Sequence, residues 1–369
     1  SALAYSALAQ APVETELRIG YLDRTGDAAY QRAAGYAGLY RREHLSPRPA
    51  AELAVKDGMA AARAAGLRLL LVHRALTETE DAPTAAAALL REGLSALLVD
   101  LPLADVERIA KMPGANTVAL LNARHRDDSL RLFACRSGLL HTIPSWSMLT
   151  DGLAQGLLAL DWRRVLVLKG PADADLRLTE QFLASAKKFG LRISDVRSFV
   201  HGSDPRKRDQ TNVRLLTGNA DYDAIFVADT SGDFGRYVPY NTAHARPVVG
   251  TTGLQPLAWH PFWERHGAPQ LNRRFYRAAN RAMSEEDWAT WIAVRAVLDG
   301  AIAARDAAPA AVLRSLTSAE LRLELYKALP GSVRPWSRQL RQGLRLGTSD
   351  AVIALTPGEN VLHQRHPLD

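Results

Sequence analysis

Val165-Leu166-Val167-Leu168 and Leu97-Leu98-Val99 decide the fold of this chain. A strand with one face in water alternates apolar and polar side chains. An unbroken apolar run predicts instead a strand covered on both faces, as in parallel sheets with helices packed above and below. The same signature recurs outward from both runs. Strands are expected at 17–22, 67–72, 94–101, 117–121 and 130–134, and a second set at 164–168, 191–200, 224–228 and 247–250. Helix-patterned stretches fill the gaps. One covers 50–65 and closes at Gly66; another covers 83–91, opening on Pro83 and closing before Gly93; others cover 148–160 and 179–189, the last closing at Gly190. Proline at the start and glycine past the end are what helix termini favour. Strand–helix alternation means βαβ units with right-handed crossovers, and two sets of strands predict two Rossmann-like, doubly wound α/β lobes.

The last third reads differently. Residues 255–277 are aromatic and punctuated by proline, with Trp259, Phe262, Trp263, Phe275 and Tyr276. Ser284-Glu285-Glu286-Asp287 is a helix start, a capping serine followed by first-turn acids, and a long helix should run from Trp288 to about Arg305. The segments 339–346 and 351–355 follow as an antiparallel pair. A terminal segment of this kind can cross back to complete a lobe.

Composition removes several classes. The chain has 369 residues, a formal net charge of +7 and 47% hydrophobic residues, enough for two packed cores and too apolar for disorder. Cys135 is the sole cysteine, so no intrachain disulfide or Cys-based zinc site can form, and it reads as a buried inert thiol. The basic excess is scattered, with short clusters such as Arg206-Lys207-Arg208, so a nucleic-acid interface is not expected. Residues 1–14 read as the remnant of a secretory signal peptide or a flexible tail, with small-residue sites at Ala7-Leu8-Ala9 and Ala9-Gln10-Ala11. No 18-residue apolar run occurs elsewhere, so a membrane span is not expected.

Catalytic motifs fail in turn. There is no Gly-rich dinucleotide fingerprint after the first strand, no phosphate loop and no His-Glu-x-x-His. His125-Arg126-Asp127 and Asp233-Phe234-Gly235 imitate kinase fragments without a glycine-rich loop before them. His73, His141, His201 and His260 have no evident sequence partners. The chain is therefore read as a non-enzyme without a cofactor. The acids Asp127-Asp128, Asp173, Asp175, Glu78, Glu80 and Asp81 lack the spacing of a calcium loop, and whether a metal binds is left open.

Three segments carry a resemblance. Leu17-Arg18-Ile19-Gly20-Tyr21-Leu22 with Thr25-Gly26 resembles the opening strand and loop of type 1 periplasmic binding proteins, the solute receptors of ABC importers. Leu139-Leu140-His141-Thr142-Ile143-Pro144-Ser145 is similar to their first crossover between lobes. Arg274-Phe275-Tyr276 and Ala289-Thr290-Trp291-Ile292-Ala293-Val294-Arg295-Ala296 resemble their returning first-lobe helices. A narrower resemblance is to receptors associated with PQQ-dependent alcohol oxidation. It is carried by Asn122 with Asp127-Asp128-Ser129-Leu130-Arg131, by Arg246-Pro247-Val248-Val249-Gly250-Thr251-Thr252-Gly253-Leu254, by Arg334-Pro335-Trp336 with Gln339-Leu340-Arg341-Gln342, and by Leu362-His363-Gln364-Arg365. The resemblance implies lobe 1 over 15–138 and 253–333, lobe 2 over 139–252 and 334–369, and a multi-crossing hinge between them. It implies a monomeric periplasmic receptor that closes on a small-molecule or metal-chelate ligand and docks on an ABC permease. Lanthanide uptake is one ligand possibility, and a sensor or regulatory module of the same fold is the alternative function.

In open α/β sheets ligands meet the loops beyond the carboxyl ends of the strands. That rule selects Asp23, Arg24, Arg74, Asp100 and Asn122 on lobe 1. On lobe 2 it selects Lys169, Gly170, His201, Asp229, Thr230 and Ser231, with Thr252 and Trp259 closing the site. Asp229 stands first among these, because the resemblance places an acid near the ligand amine at this strand end. The loop Val99-Asp100-Leu101-Pro102-Leu103-Ala104 departs from amino-acid-binding relatives, which carry hydroxyls there. A ligand carboxylate would meet Asp100 as a like charge unless a proton or cation intervened.

Overall fold

The structure is a computed structural model that describes residues 15–31, 44–133, 137–202, 205–364 and 366–368. A first sheet is built from β1 (Thr15–Arg24), β2 (Leu67–Leu76), β3 (Ala96–Val99), β4 (Ala119–Asn122) and β5 (Leu139–His141). All are parallel, in the order β2-β1-β3-β4-β5. Helices α1 (Arg48–Ala64), α2 (Ala82–Arg91) and α3 (Leu103–Ala110) make its crossovers. The chain then runs through α4 (Trp146–Ala159) into a second parallel sheet. Its strands are β6 (Arg164–Lys169), β7 (Arg192–Ser198), β8 (Ala224–Ala228) and β9 (Val248–Gly250), in the order β7-β6-β8-β9. They are linked by α5 (Asp173–Phe189) and the short helices α6 (Arg208–Thr211), α7 (Val213–Thr217) and α8 (Val238–Asn241).

The unbroken apolar runs are explained by what covers them. Alternate residues of β1 and β3, Leu17, Ile19 and Leu98, face a core shared with α1, α9 (Ala268–Ala279), α10 (Glu285–Ala304) and α11 (Pro309–Leu316). The intervening residues, Leu22, Leu97 and Val99, face α2 and α3 through Leu89 and Val106. In the second sheet Val165, Val167 and Phe226 pack on α4 and α5, with Phe182 stacked on Phe226 at 3.8 Å. Leu166, Leu168, Ile225 and Val227 pack on Phe199, Phe234 and Val238. Both faces are thus dry along β3, β4, β8 and the middle of β6, where the residues must be nearly all apolar, whereas the edge strands β2 and β7 keep exposed polar side chains.

After β10 (Gln255–Leu257) the chain adds α9–α11 to the first lobe. It then returns through β11 (Ser332–Val333) and β12 (Leu340–Arg341) to β13 (Leu344–Gly347) and β14 (Val352–Thr356), which form an antiparallel sheet in the order β10-β13-β14. Ser284 caps α10 in a reciprocal box with Asp287.

Two expectations need correction. The expected strand at 130–134 is a 3-10 helix, Asp128–Phe133, with Ala134 outside the described residues. Arg131 is the reason: its buried guanidinium donates to the carbonyls of His125, Asp127 and Ile143 and to Gln339, which a strand could not arrange, and Leu132 is left 82% exposed. The fifth strand is instead Leu139–His141, which pairs with β4, so these residues belong to the first sheet and the crossover follows at Thr142. Residues 1–14, Cys135 and Arg365 lie outside the described residues.

Candidate functional site

The carboxyl ends of β1, β3 and β4 gather a charged cluster. Asp100, directly after β3, is 2% exposed and accepts from Tyr21 Oη (2.7 Å), Tyr30 Oη (2.5 Å) and Arg124 Nη1 (3.3 Å). Arg124 also forks onto Asp27 at 2.7 and 3.2 Å and lies over the Tyr30 ring. Burial raises the Asp100 carboxyl above its ordinary range, against the pull of these donors. Burial pushes Asp27 upward too, but Arg124 and the Ala29 amide outweigh it and hold that carboxyl low. Asn122, fully buried at the end of β4, accepts from the amides of Arg124 and His125 and donates to the His125 carbonyl, closing the turn that presents Arg124. Its amide nitrogen lies 3.0 Å from His141 Nδ1. Nearby, Asp23 meets His73 Nε2 at 3.0 Å, and Arg74 pairs with Glu80. Arg24 donates to the carbonyls of Thr77, Glu78 and Glu80 and to Asp105 at 3.0 Å, strapping the loop after β2 to α3.

The second lobe supplies the matching strand ends. Gly170 follows β6, and a Cβ there would stand 2.2 Å from Asp175 Oδ2, so glycine alone lets the buried Asp175 sit under the turn. Asp175 accepts from the Ala172 amide and, at 2.6 Å each, from the amide and hydroxyl of Thr230. Asp229, after β8, is 2% exposed and accepts from the Phe234 amide (2.9 Å), the Gly235 amide (2.7 Å) and Ser231 Oγ (2.7 Å). Its own amide donates to Thr251 Oγ1. His201 stands edge-on to Phe199 beyond β7. Lys169 closes β6, half-buried, and among the described residues it has no hydrogen-bond or ion-pair partner. The rim can therefore offer an ammonium, an imidazole and hydroxyls to a polar solute without covalent chemistry.

This architecture recurs in solved structures. A putative branched-chain amino acid ABC transporter protein from Rhodospirillum rubrum superposes with a TM-score of 0.70 at 14% identity, over 91% of this chain and 99% of that one. A branched-chain amino acid ABC transporter periplasmic ligand-binding protein from Burkholderia xenovorans gives 0.69 at 13% identity, over 92% and 95%. An ABC transporter solute-binding protein from R. palustris in complex with benzoate gives 0.60 at 12%, over 92% and 96%. The chain has the type 1 periplasmic binding fold. No protein-family model matches it, and no curated protein matches it by sequence.

Within this fold the residues selected from sequence separate by what they already hold. Asp23, Arg24, Arg74, Asp100 and Asn122 do lie at or beside the strand ends of the first sheet, but each is engaged by protein groups. Gly170, Asp229, Thr230 and Ser231 come together around Asp175 and the turn before Gly235. Thr252 packs its methyl toward Gly235, while Lys169 and His201 stand at the ends of β6 and β7. Trp259 is placed elsewhere. It is buried in the first-lobe core, stacked on Trp288 at 5.9 Å, and its indole N–H donates to Asn272. Sequence reading did not select Tyr21, Asp27, Tyr30, Arg124 or Thr251 for the site, and it weighed Asp175 only as a cation ligand. Thr251, next to the selected Thr252, was the nearest to being found, and Arg124 lies two residues past the selected Asn122.

Proposed function

We propose that this chain is a periplasmic solute receptor of an ABC importer, a binding protein and not an enzyme, which closes two lobes on a small polar ligand and hands it to a permease. The observation that carries the reading is the pairing of two parallel-sheet lobes whose polar strand ends are preorganised by neighbours, in a fold shared over more than nine-tenths of both chains with ABC solute-binding proteins. Among the described residues no helix is long and apolar enough to cross a membrane. The segments that cross between the lobes are tied together by Gln339, which donates to the carbonyls of His141 and Ile143 at 3.0 Å while accepting from Arg131, and this supports a defined hinge.

The ligand reading favours an organic solute with an anionic or hydrogen-bonding group for Lys169. The carboxylates Asp23, Asp100 and Asp229 are occupied by His73, by Tyr21, Tyr30 and Arg124, and by two amides and Ser231, so a bare cation would have to displace these partners. A metal-bearing ligand, lanthanide included, would enter as a chelate held through its organic part. The narrower assignment, to receptors associated with PQQ-dependent alcohol oxidation, rests on the sequence resemblance, and a sensor module of the same fold is its alternative. A thermal-shift panel of PQQ, branched-chain amino acids, benzoates, short alcohols and acids, La³⁺ and Ca²⁺ tests these together. A ligand at 100 times its Kd adds about 2.7 kcal/mol, a shift of several degrees. That shift, lost in Lys169→Met at unchanged unliganded stability, supports the receptor reading; silence across all classes favours the sensor.

A further inference from the structure

Arg345 sits in the middle of β13, and the strand's period places it opposite its neighbours. Leu344 and Leu346 press on Gly152 and Gly156 of α4. Arg345 and Gly347 therefore point the other way, Gly347 against His260 and Arg345 against Trp263, whose ring centroid is 4.5 Å from its Cζ. The guanidinium is 1% exposed. Its Nη1 donates to the Gly343 carbonyl at 3.1 Å, but Nε and Nη2 have no hydrogen-bond partner, and neither has Trp263 Nε1. Three buried donor nitrogens on two touching side chains are thus unmet among the described residues, and no carboxylate among those residues pairs with the charge. Glu285, the acid whose charge reaches Lys327 in this region, is committed to Arg126 at 3.2 Å and to the Ala258 amide. Beside it Lys327 is buried, its ammonium pushed well down first by that burial and then by the Arg345 charge, and it is held on Gln342 and over Trp288. On its far side Trp263 stacks on His266, which with Glu324, Tyr326 and Lys327 lines an open cavity of about 360 Å³.

Burial pulls the Arg345 guanidinium down to about 9, which still leaves it charged at neutral pH, and an unpaired buried charge is among the costliest features a fold can carry. We propose that Arg345 Nε and Nη2 with Trp263 Nε1 form a site for a small monovalent anion of the halide class, resident between β13 and the segment after β10 and separate from the solute-binding strand ends. The donors are all N–H groups and the charge to be met is positive. Chloride would neutralise Arg345 and fix the antiparallel sheet against the first lobe.

The test uses the whole chain and chloride itself. Unfolding midpoints are measured against sodium chloride and against sodium gluconate at equal ionic strength, and a crystal grown in bromide is examined for anomalous signal. Chloride should raise the midpoint saturably while gluconate does not, and bromide should appear within hydrogen-bond reach of Arg345. Trp263→Phe keeps the ring and removes one donor, and should raise the half-saturating chloride concentration about tenfold. Arg345→Met should abolish the response. Equal responses to chloride and gluconate, a bromide map empty at Arg345, or an unchanged half-saturation in Trp263→Phe would each overturn the proposal in favour of ordered water.

Discussion

Replacing Asp229 by alanine should damage folding before it damages binding. Its carboxylate is 2% exposed and accepts three hydrogen bonds, from the amides of Phe234 and Gly235 and from Ser231 Oγ. Ser231 is only half-buried and can turn to water, so its loss counts for little. The two amides are buried and have nowhere else to go. An orphaned buried donor costs roughly 1–3 kcal/mol, so Asp229→Ala should lose about 4 kcal/mol in all. Asp229→Asn keeps one acceptor oxygen and should lose roughly half of that. Urea unfolding followed by far-ultraviolet circular dichroism reads this as a fall in midpoint at unchanged slope. If Asp229→Ala loses less than about 1 kcal/mol while solute affinity collapses, the carboxylate serves the ligand and the capping argument is wrong.

Other perturbations follow from single contacts. Gln339→Leu strips the hinge of its bridge and leaves the buried Arg131 guanidinium, already pulled down to about 9 by burial, without its side-chain acceptor; urea titration should show a loss of about 3 kcal/mol. Gly138→Ala would set a methyl 1.8 Å from the Val118 carbonyl, in backbone that cannot yield, so the variant should lose about 3 kcal/mol or more, and near-neutral stability would refute the geometry. Burial, with help from Arg345, holds Lys327 far below an ordinary lysine, over the objection of Glu285. The unfolded chain takes up this proton near pH 10.4 and the native chain only at its lower pKa, so native stability falls as pH drops through that window. Lys327→Met escapes the loss, and its advantage over wild type should grow from pH 10 to pH 7, reaching about 1–3 kcal/mol; an advantage independent of pH would refute the assignment.

The two lobes were legible because burial on both faces leaves no freedom of composition. The strand expected at 224–228 is β8 to the residue, and that at 164–168 is one residue short of β6. The failure at 130–134 shows where the rule ends. Leu130, Leu132 and Phe133 look like a strand until Arg131 is seen to need acceptors that lie on His125, Asp127, Ile143 and Gln339. The last of these is 208 residues away, a partnership that no local pattern announces.

The candidate site was legible by address and not by role. Carboxyl ends of parallel strands collect polar residues for two competing reasons: they face a cleft, and their loops contain backbone donors that need acceptors. A sequence shows the side chain and conceals the amide, so Asp229 reads as a ligand contact although Phe234 and Gly235 have already claimed it. Arg124 shows the converse. It is tied to Asp27 across 97 residues and to Asp100 across 24, and only the fold brings the three together. What distinguishes a residue kept for a solute is unspent bonding capacity, and by that criterion Lys169 outranks Asp229. An ammonium held half-buried at the end of a central strand, with no acid or carbonyl among the described residues to answer it, gains most from an arriving acceptor, whereas a carboxylate that must first surrender two amides gains least.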